Sequence, residues 1–132
     1  MPEAAIAIGK LLLYASLMGA LGEPEVGVGA YYAPGLMQRV CERRVENGWS
    51  MDLDCSWPCL VSGIEHESLG EYWFVDLPGE SMYLCLVVDV GRSEHLEALR
   101  ARGEIVELPH WLAMKAGWDG YKSGVKVWRL ER

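Results

Sequence analysis

The chain has 132 residues, of which 51% are apolar and 23% charged, so one packed domain is feasible and wholesale disorder is excluded. Its net charge of −7 argues against a nucleic-acid backbone as the main partner, because phosphate binding needs a basic face. The chain contains one Phe but six Trp and six Tyr. Their flat rings with polar groups suit stacking on sugars as well as cores and interfaces.

The first 24 residues are predicted to form a separate apolar helix. Between Ala4 and Gly22 only Lys10 is charged, and a helix of this length would just span the hydrocarbon core of a membrane. The pattern suits a cleaved signal peptide or an uncleaved anchor, and either would place the protein in the cell envelope or outside the cell. The alternative is a helix that packs within the fold or against a neighbouring subunit. Residues 25–132 are predicted to form the folded domain.

The rest of the chain predicts short strands separated by turns. Alternating or strand-rich segments cover residues 25–33, 59–63, 72–77, 82–90, 105–108 and 125–130, and a further short strand is expected over 35–41. The polar runs 42–47 and 118–124 are predicted to be loops. Two late helices are expected, one over 94–102 with Ser93 as its N-cap and one that begins at Pro109 and ends before Gly117. This pattern indicates a small, mainly β barrel with helical insertions.

Cys41, Cys55, Cys59 and Cys85 form an even set in a short chain with an export-like start, which predicts two disulfides. Four cysteines allow three pairings, and sequence alone does not choose among them. Pairs that cross between loops would restrict the unfolded chain more than a Cys55–Cys59 bond would. Four reduced cysteines are the first alternative, and a zinc site that adds His66 is the second. We therefore expect neither a metal nor a cofactor.

The histidines give no convincing catalytic or metal site. Glu65, His66 and Glu67 are adjacent, so on an extended chain they point to opposite faces, and we interpret them as a surface loop. His95 and His110 have no evident partner in the sequence. The chain carries no nucleotide-binding loop, no Ser-His-Asp order and no zinc-protease helix motif.

Several motifs follow one another in a characteristic order. Residues 29–35 (GAYYAPG) join a small residue, two aromatic residues and a glycine turn, and residues 69–79 (LGEYWFVDLPG) form a strand and a turn. Residues 86–91 (LVVDVG) and 105–109 (IVELP) follow, the latter leading into a helix. Over roughly residues 27–130 this order resembles the double-psi β-barrel of the rare lipoprotein A and expansin-like group. The resemblance implies a mainly β, six-stranded double-psi barrel with two short helices.

The sequence departs from this group in several features that concern function. The Ala-His pair typical of the lipoprotein is not reproduced, since His66 lies nearby but out of register. The arginine that follows the group's aspartate is Val90 here, and the aspartate of its "D-L-S" motif is Glu107. Related endoglucanases carry a catalytic aspartate directly after the opening aromatic pair, where this chain has Ala33. These differences count against a full catalytic set of the group's kind.

The resemblance also implies a groove for glycan, with Glu107 as general acid and Asp89 as its neighbour across the cleft. A lytic transglycosylase needs only one acid, because a hydroxyl of the substrate attacks the anomeric carbon. Two close carboxylates would raise the proton affinity of one of them. Tyr31, Tyr32 and Trp111 could stack on sugar rings. The alternative is structural: a strand-end or helix-capping glutamate, a backbone-bonding aspartate and aromatic rings packed on the barrel.

Three functions follow from these patterns. The preferred one is an exported or surface-associated module without catalysis, which binds cell-wall glycan or serves as a structural or assembly subunit. The alternative is a lytic transglycosylase-like enzyme that cleaves peptidoglycan with Glu107 as the acid. The expected partners are cell-wall glycan or neighbouring protein subunits, with a membrane possible through residues 4–22 and no nucleic acid.

Overall fold

Six strands close into a barrel and three short helices accompany them in the computed structural model, which describes residues 22–48, 53–91 and 93–130. The strands are β1 (Glu25–Tyr31), β2 (Leu60–Gly63), β3 (Tyr72–Asp76), β4 (Met82–Val90), β5 (Glu104–Leu108) and β6 (Lys122–Arg129). The helices are α1 (Leu36–Glu46), α2 (Leu96–Ala101) and α3 (His110–Lys115), and 3₁₀ turns cover His66–Ser68 and Ser93–His95. The prediction of a mainly β barrel is confirmed.

The strands follow the order β1-β5-β2-β4-β3-β6 around the barrel. Two neighbouring pairs, β1 with β5 and β2 with β4, are parallel, and the other pairs are antiparallel. The predicted hairpin between β3 and β4 is present, and its turn is closed by a 3.0 Å hydrogen bond from the Glu80 amide to the Leu77 carbonyl. Gly79 has a φ of 74° there, a conformation that glycine adopts without steric cost.

Apolar side chains form two clusters, one inside the barrel and one on its outer face. The inner cluster includes Val61, Trp73, Val87, Val106 and Val127, all of which are buried. The outer cluster joins Met37 and Cys41 of α1 to Leu60 of β2 and to Leu86 and Val88 of β4. Because α1 covers β2 and β4 in this way, it forms a wall beside the ends of these strands.

The strand predicted over residues 35–41 and the loop predicted over 42–47 are wrong, because α1 occupies Leu36–Glu46. Gly35, with a φ of 72°, turns the chain into this helix. Met37 and Cys41 are four residues apart and are both buried against the barrel, as the helical period requires. Within the described residues, three helices rather than the predicted two accompany the barrel. In addition, β6 begins at Lys122, within the predicted loop 118–124.

Two intrachain disulfides are present, as predicted, and their pairing is now defined. Cys41–Cys55 ties α1 to the segment before β2, and Cys59–Cys85 ties the start of β2 to β4 within the inner cluster. Both bonds cross between elements, and each is consistent with an extracellular or exported protein, since disulfides persist in oxidising compartments.

Residues 4–21 of the predicted N-terminal helix lie outside the described residues, and the division near residue 24 stays a prediction. Within 22–48, 53–91 and 93–130, no helix combines the length and the apolar character needed to cross a bilayer.

Candidate functional site

Ser62 lies between the two carboxylates that the sequence singled out. It pairs with Asp89 of β4 on one side and with Glu107 of β5 on the other. Neighbouring strands lie about 4.8 Å apart, so the Cα atoms of Asp89 and Glu107 are separated by roughly 10 Å. The fold thus brings together two residues that are far apart in the sequence.

A β-bulge turns the side chain of Asp89 towards the face of the barrel that carries Ser62. Between Val61 and Ser62 the chain of β2 advances by one residue, whereas its partner in β4 advances from Val87 to Asp89. Strict alternation would have pointed Asp89 into the barrel, together with Val87, which is buried in the inner cluster. The extra residue instead places Asp89 on the outer face beside Ser62, and re-aiming a side chain is a recurrent role of bulges.

Asp89 is held at both carboxylate oxygens. The Tyr32 hydroxyl donates a 2.5 Å hydrogen bond to Oδ2, and Nη2 of Arg44 in α1 lies 2.5 Å from Oδ1. Both members of the Arg44–Asp89 ion pair are largely buried, with 18% and 16% of their side chains exposed. Because both of its oxygens are engaged in this way, the side chain of Asp89 is held in one orientation.

Tyr32 is a hydrogen-bond donor that stays protonated. Burial, followed by the hydrogen bond to Asp89, raises the pKa of Tyr32 far above its usual range. A hydrogen bond with Ser62 opposes this shift. Tyr32, Asp89 and Arg44 therefore form a connected polar network on the outer face of the barrel. The Ser62 hydroxyl donates a 3.1 Å hydrogen bond to the Gly63 carbonyl.

An open groove of about 650 Å³ runs over this network, with Tyr32, Asp89 and Glu107 among its lining residues. Its walls include Leu36, Val40 and Arg44 on one side and His95 and Leu99 on the other. A volume within roughly 300–1,000 Å³ is typical of small-molecule sites. The groove therefore brings Glu107 and Asp89 to one accessible surface, where a ligand can reach both.

Glu107 is a half-buried carboxyl group with unusual proton affinity. Burial, a hydrogen bond with Glu104 and the negative charges of Glu104 and Asp89 raise the pKa of Glu107 from 4.5 to about 8, opposed by the nearby Arg102. A carboxyl group of this kind carries its proton at neutral pH and can donate it to a bound ligand.

The three predicted glycan-binding aromatic residues are not brought together. Tyr32 lies in the groove, but its hydroxyl is committed to Asp89. Tyr31 packs against the inner cluster, with its ring 6.1 Å from that of His110. Trp111 is 48% exposed and stands edge-on to Tyr83, lining a separate, smaller cleft. The groove therefore lacks two of the three predicted stacking residues.

No sequence motif points to three residues in or beside the site. Arg44 lines the groove, Ser62 pairs with Asp89 and Glu107, and Glu104 neighbours Glu107 but lines a separate cleft. The sequence does not point to Arg44, because its segment is predicted to be a loop. The signal that could have identified the helix is the helical spacing of the apolar residues Leu36, Met37, Val40 and Cys41. Ser62 and Glu104 occur in strands with no motif of their own. Only the pairing of β2 with β4 and β5 shows that Ser62 stands at the centre of the site.

The residues that the structure describes contain no cluster of three or more His, Cys, Asp or Glu side chains suited to a metal ion. All four cysteines are engaged in disulfides. A zinc site formed by the four cysteines with His66 is therefore wrong, because the thiolates that would bind the metal are oxidised.

No family model, curated protein or solved structure matches the chain.

Proposed function

We propose that the chain is an exported barrel protein of the double-psi type that cleaves cell-wall glycan, with Glu107 as general acid and Asp89 as a fixed negative charge. The observation that carries this proposal is the shared groove, in which the two carboxylates flank Ser62. It favours the enzymatic alternative over the purely structural one, because a surface that only packs against other subunits has no need of an acid facing a groove.

Three features support the double-psi assignment and export. The barrel is closed, has six strands and contains two parallel pairs, β1 with β5 and β2 with β4. Parallel neighbours need crossover connections, which hairpin-only barrels lack. The motif order along residues 27–130 resembles the rare lipoprotein A and expansin-like group. The two disulfides support an oxidising location.

The proposed reaction uses one acid. Glu107 donates its proton to the glycosidic oxygen while the bond from that oxygen to the anomeric carbon breaks. A hydroxyl of the same sugar forms the new bond to the anomeric carbon, and its proton passes to the Glu107 carboxylate, which restores the acid. The cyclic product therefore contains no added water. Asp89 stabilises the positive charge that develops on the sugar ring.

The hydrogen bonds of Asp89 favour this route over hydrolysis with a covalent intermediate. A nucleophilic carboxylate needs a free oxygen facing the sugar, whereas Tyr32 and Arg44 occupy both oxygens of Asp89. A second acid–base partner is not required when the substrate supplies the attacking hydroxyl. The mechanism thus assigns chemistry to Glu107 and electrostatic stabilisation to Asp89.

A non-catalytic glycan-binding module is the second candidate. It is favoured by Ala33, which stands where related endoglucanases have a catalytic aspartate, and by the position of Trp111 outside the groove. In this case the groove would hold the glycan through Arg44, His95 and the carboxylates without breaking a bond.

The decisive experiment is a digest of purified peptidoglycan with the wild-type chain and with Glu107→Gln, followed by mass analysis of the released fragments. We expect fragments that are lighter by one water than hydrolysis products, and a loss of about 10²–10⁴-fold in their rate of release for Glu107→Gln. Glu97→Gln, which changes an exposed glutamate of α2, is the matched control and should release fragments at the wild-type rate.

The other outcomes separate the candidates. Co-sedimentation with peptidoglycan without released fragments would favour the binding module. Neither binding nor release would remove both glycan proposals and leave a structural or assembly role. Equal activity of Glu107→Gln and the wild type would exclude Glu107 as the acid.

A further inference from the structure

Glu104 is a buried carboxylate for which the proposed reaction gives no role. Its side chain is completely shielded from solvent. Oε2 is paired with Nη2 of Arg102 at 3.0 Å, and Arg102 itself is 44% exposed. Oε1 is buried and has no hydrogen-bond donor among the described residues. Burying a charged group in this way is costly unless every oxygen finds a partner.

A second β-bulge places Glu104 beside Glu107. Val28 of β1 pairs with Glu104, Gly29 pairs with Val106 and Ala30 pairs with Glu107. Val28 and Ala30 are two residues apart in β1, so their side chains lie on the same face of the sheet. Because of the bulge, their partners Glu104 and Glu107 also share that face, although these two glutamates are three residues apart in β5. The two carboxyl side chains are therefore neighbours on one face of β5.

A hydrogen bond between two carboxyl groups requires one proton. Oε1 of Glu104 has no donor among the described residues, and a proton on the neighbouring Glu107 would supply a donor on the same face of β5. Arg102 is paired with Glu104 at 3.0 Å, and a guanidinium beside a carboxyl group favours its charged form.

We propose that Glu104 and Glu107 form a proton-sharing carboxyl–carboxylate pair, in which Glu104, anchored by Arg102, accepts the hydrogen bond of Glu107 and is the positioning residue of the acid. The catalytic consequence rests on the proposed function. When Glu107 has donated its proton, two carboxylates stand side by side, and their repulsion favours return of a proton from the attacking hydroxyl to Glu107. The pair itself exists independently of any reaction.

Other charged and titratable groups surround Glu107 and must be considered in its titration. Asp89 adds a negative charge from β4 and Tyr32 stays protonated beside it. The groups that line the groove from the helices and turns are Arg43 and Arg44 of α1 and His95 before α2, and Tyr121 packs under Arg102. On the other side, Glu104 shares a cleft with Glu25, Glu65, Arg100 and Arg129. Changing Glu104 or Arg102 replaces none of these groups.

The test is a carbon-13 NMR titration of the glutamate carboxyl groups in the full-length chain, with the Glu107 signal assigned by its absence in Glu107→Gln. Glu104→Gln should lower the midpoint of Glu107 by about 1–2 pH units, because a negative neighbour and a hydrogen-bond acceptor are replaced by a neutral amide that can donate. Arg102→Met should raise the midpoint, because the cation that opposes protonation is removed. Glu97→Gln should leave it unchanged.

Shifts of opposite sign in Glu104→Gln and Arg102→Met are the result expected from the pair. An unchanged midpoint in Glu104→Gln would overturn it, since burial alone would then explain the titration. If Glu104→Gln does not fold, Arg102→Met still decides, because a lower or unchanged midpoint contradicts the pair. A wild-type chain that shows the expected titrations but leaves peptidoglycan intact would refute the proposed function and keep the pair.

Discussion

The Tyr32 hydroxyl and the Asp89 carboxylate, 57 positions apart in the sequence, are joined by a 2.5 Å hydrogen bond at the floor of the groove. Tyr32 follows β1, whereas Asp89 lies near the end of β4, so the bond links two strands that are not neighbours in the barrel. Arg44 adds α1 to the same carboxylate. The site therefore depends on contacts that also hold the helix against the barrel.

Tyr32→Phe should lower the free energy of unfolding by about 1.5–3 kcal/mol, because a hydrogen bond to a charged, largely buried carboxylate is lost and one oxygen of Asp89 is left without its donor. Urea unfolding followed by Trp fluorescence measures this change. Tyr121→Phe removes the hydroxyl of a 59% exposed ring and should cost less than about 0.5 kcal/mol.

A double-mutant cycle with Asp89→Asn identifies the origin of the loss. If the Tyr32–Asp89 bond is responsible, the two substitutions together should cost less than the sum of the single costs, by about 0.5–3 kcal/mol. Strict additivity would show that the Tyr32 hydroxyl does not act through Asp89.

The two disulfides should make separate contributions to stability. The Cys41–Cys55 bond closes a loop with a sequence separation of 14 and the Cys59–Cys85 bond one of 26, for which the loop-entropy relation gives about 3 and 3.5 kcal/mol. Replacing Cys41 and Cys55 by Ala should therefore lower the free energy of unfolding by about 3 kcal/mol. It should also weaken the proposed binding of glycan in the groove, since α1 carries Arg44.

Peptide mapping without reductant checks the pairing. Proteolytic fragments should be linked as Cys41–Cys55 and Cys59–Cys85, and alkylation before digestion should label neither pair. A fragment linked through Cys55 and Cys59 would contradict the structure. The double variant at Cys59 and Cys85 is the companion measurement, and it should lose additional stability because these residues belong to the inner cluster.

Most strands could be predicted from the sequence because their signals are local. Residues 82–90 were predicted with the observed bounds of β4, since a long run of strand-forming residues ends in a glycine. The prediction for residues 35–47 was wrong because polar residues cover the exposed face of α1 and obscure the helical spacing of Met37 and Cys41. Helix and strand signals compete in short segments of this kind.

The candidate site could be predicted only in part. Motif order singled out Asp89 and Glu107, and the structure places both in one groove. The bulges in β4 and β5, however, have no sequence signature, and they decide that Asp89 faces outwards and that Glu104 lies beside Glu107. Arg44 reaches Asp89 through tertiary packing of α1, which a linear pattern does not record.

Gly29→Ala should destabilise the barrel by about 1–3 kcal/mol through overpacking. A Cβ atom at this position would lie 2.6 Å from Cη2 of Trp118, a buried ring with little room to move. Urea unfolding measures the cost, and near-UV circular dichroism should report a changed environment of Trp118. Val26→Ala, at a 60% exposed position of the same strand, is the control and should cost less than about 0.5 kcal/mol. Wild-type stability of Gly29→Ala would show that Trp118 packs elsewhere.

Stability should fall as the pH rises from about 4.5 to 8, and Glu107 should be responsible for part of this fall. Burial and the neighbouring carboxylates raise the pKa of Glu107 from 4.5 to about 8 in the folded chain. Between these values the folded state binds more protons than the unfolded state, so the free energy of unfolding decreases with increasing pH. The contribution is fully present below pH 4.5 and is lost as the pH passes 8.

Glu107→Gln removes this titration because the amide stays neutral throughout the range. Urea unfolding of the wild type and of Glu107→Gln should be compared at about pH 5, 6.5 and 8, which span the range between the two pKa values. The free energy of unfolding should decrease less with pH for the variant than for the wild type. Glu97→Gln, which alters an exposed glutamate, should keep the wild-type slope. Parallel slopes for the wild type and Glu107→Gln would mean that Glu107 ionises alike in the folded and unfolded chains, and the proton needed for acid catalysis at neutral pH would then be missing.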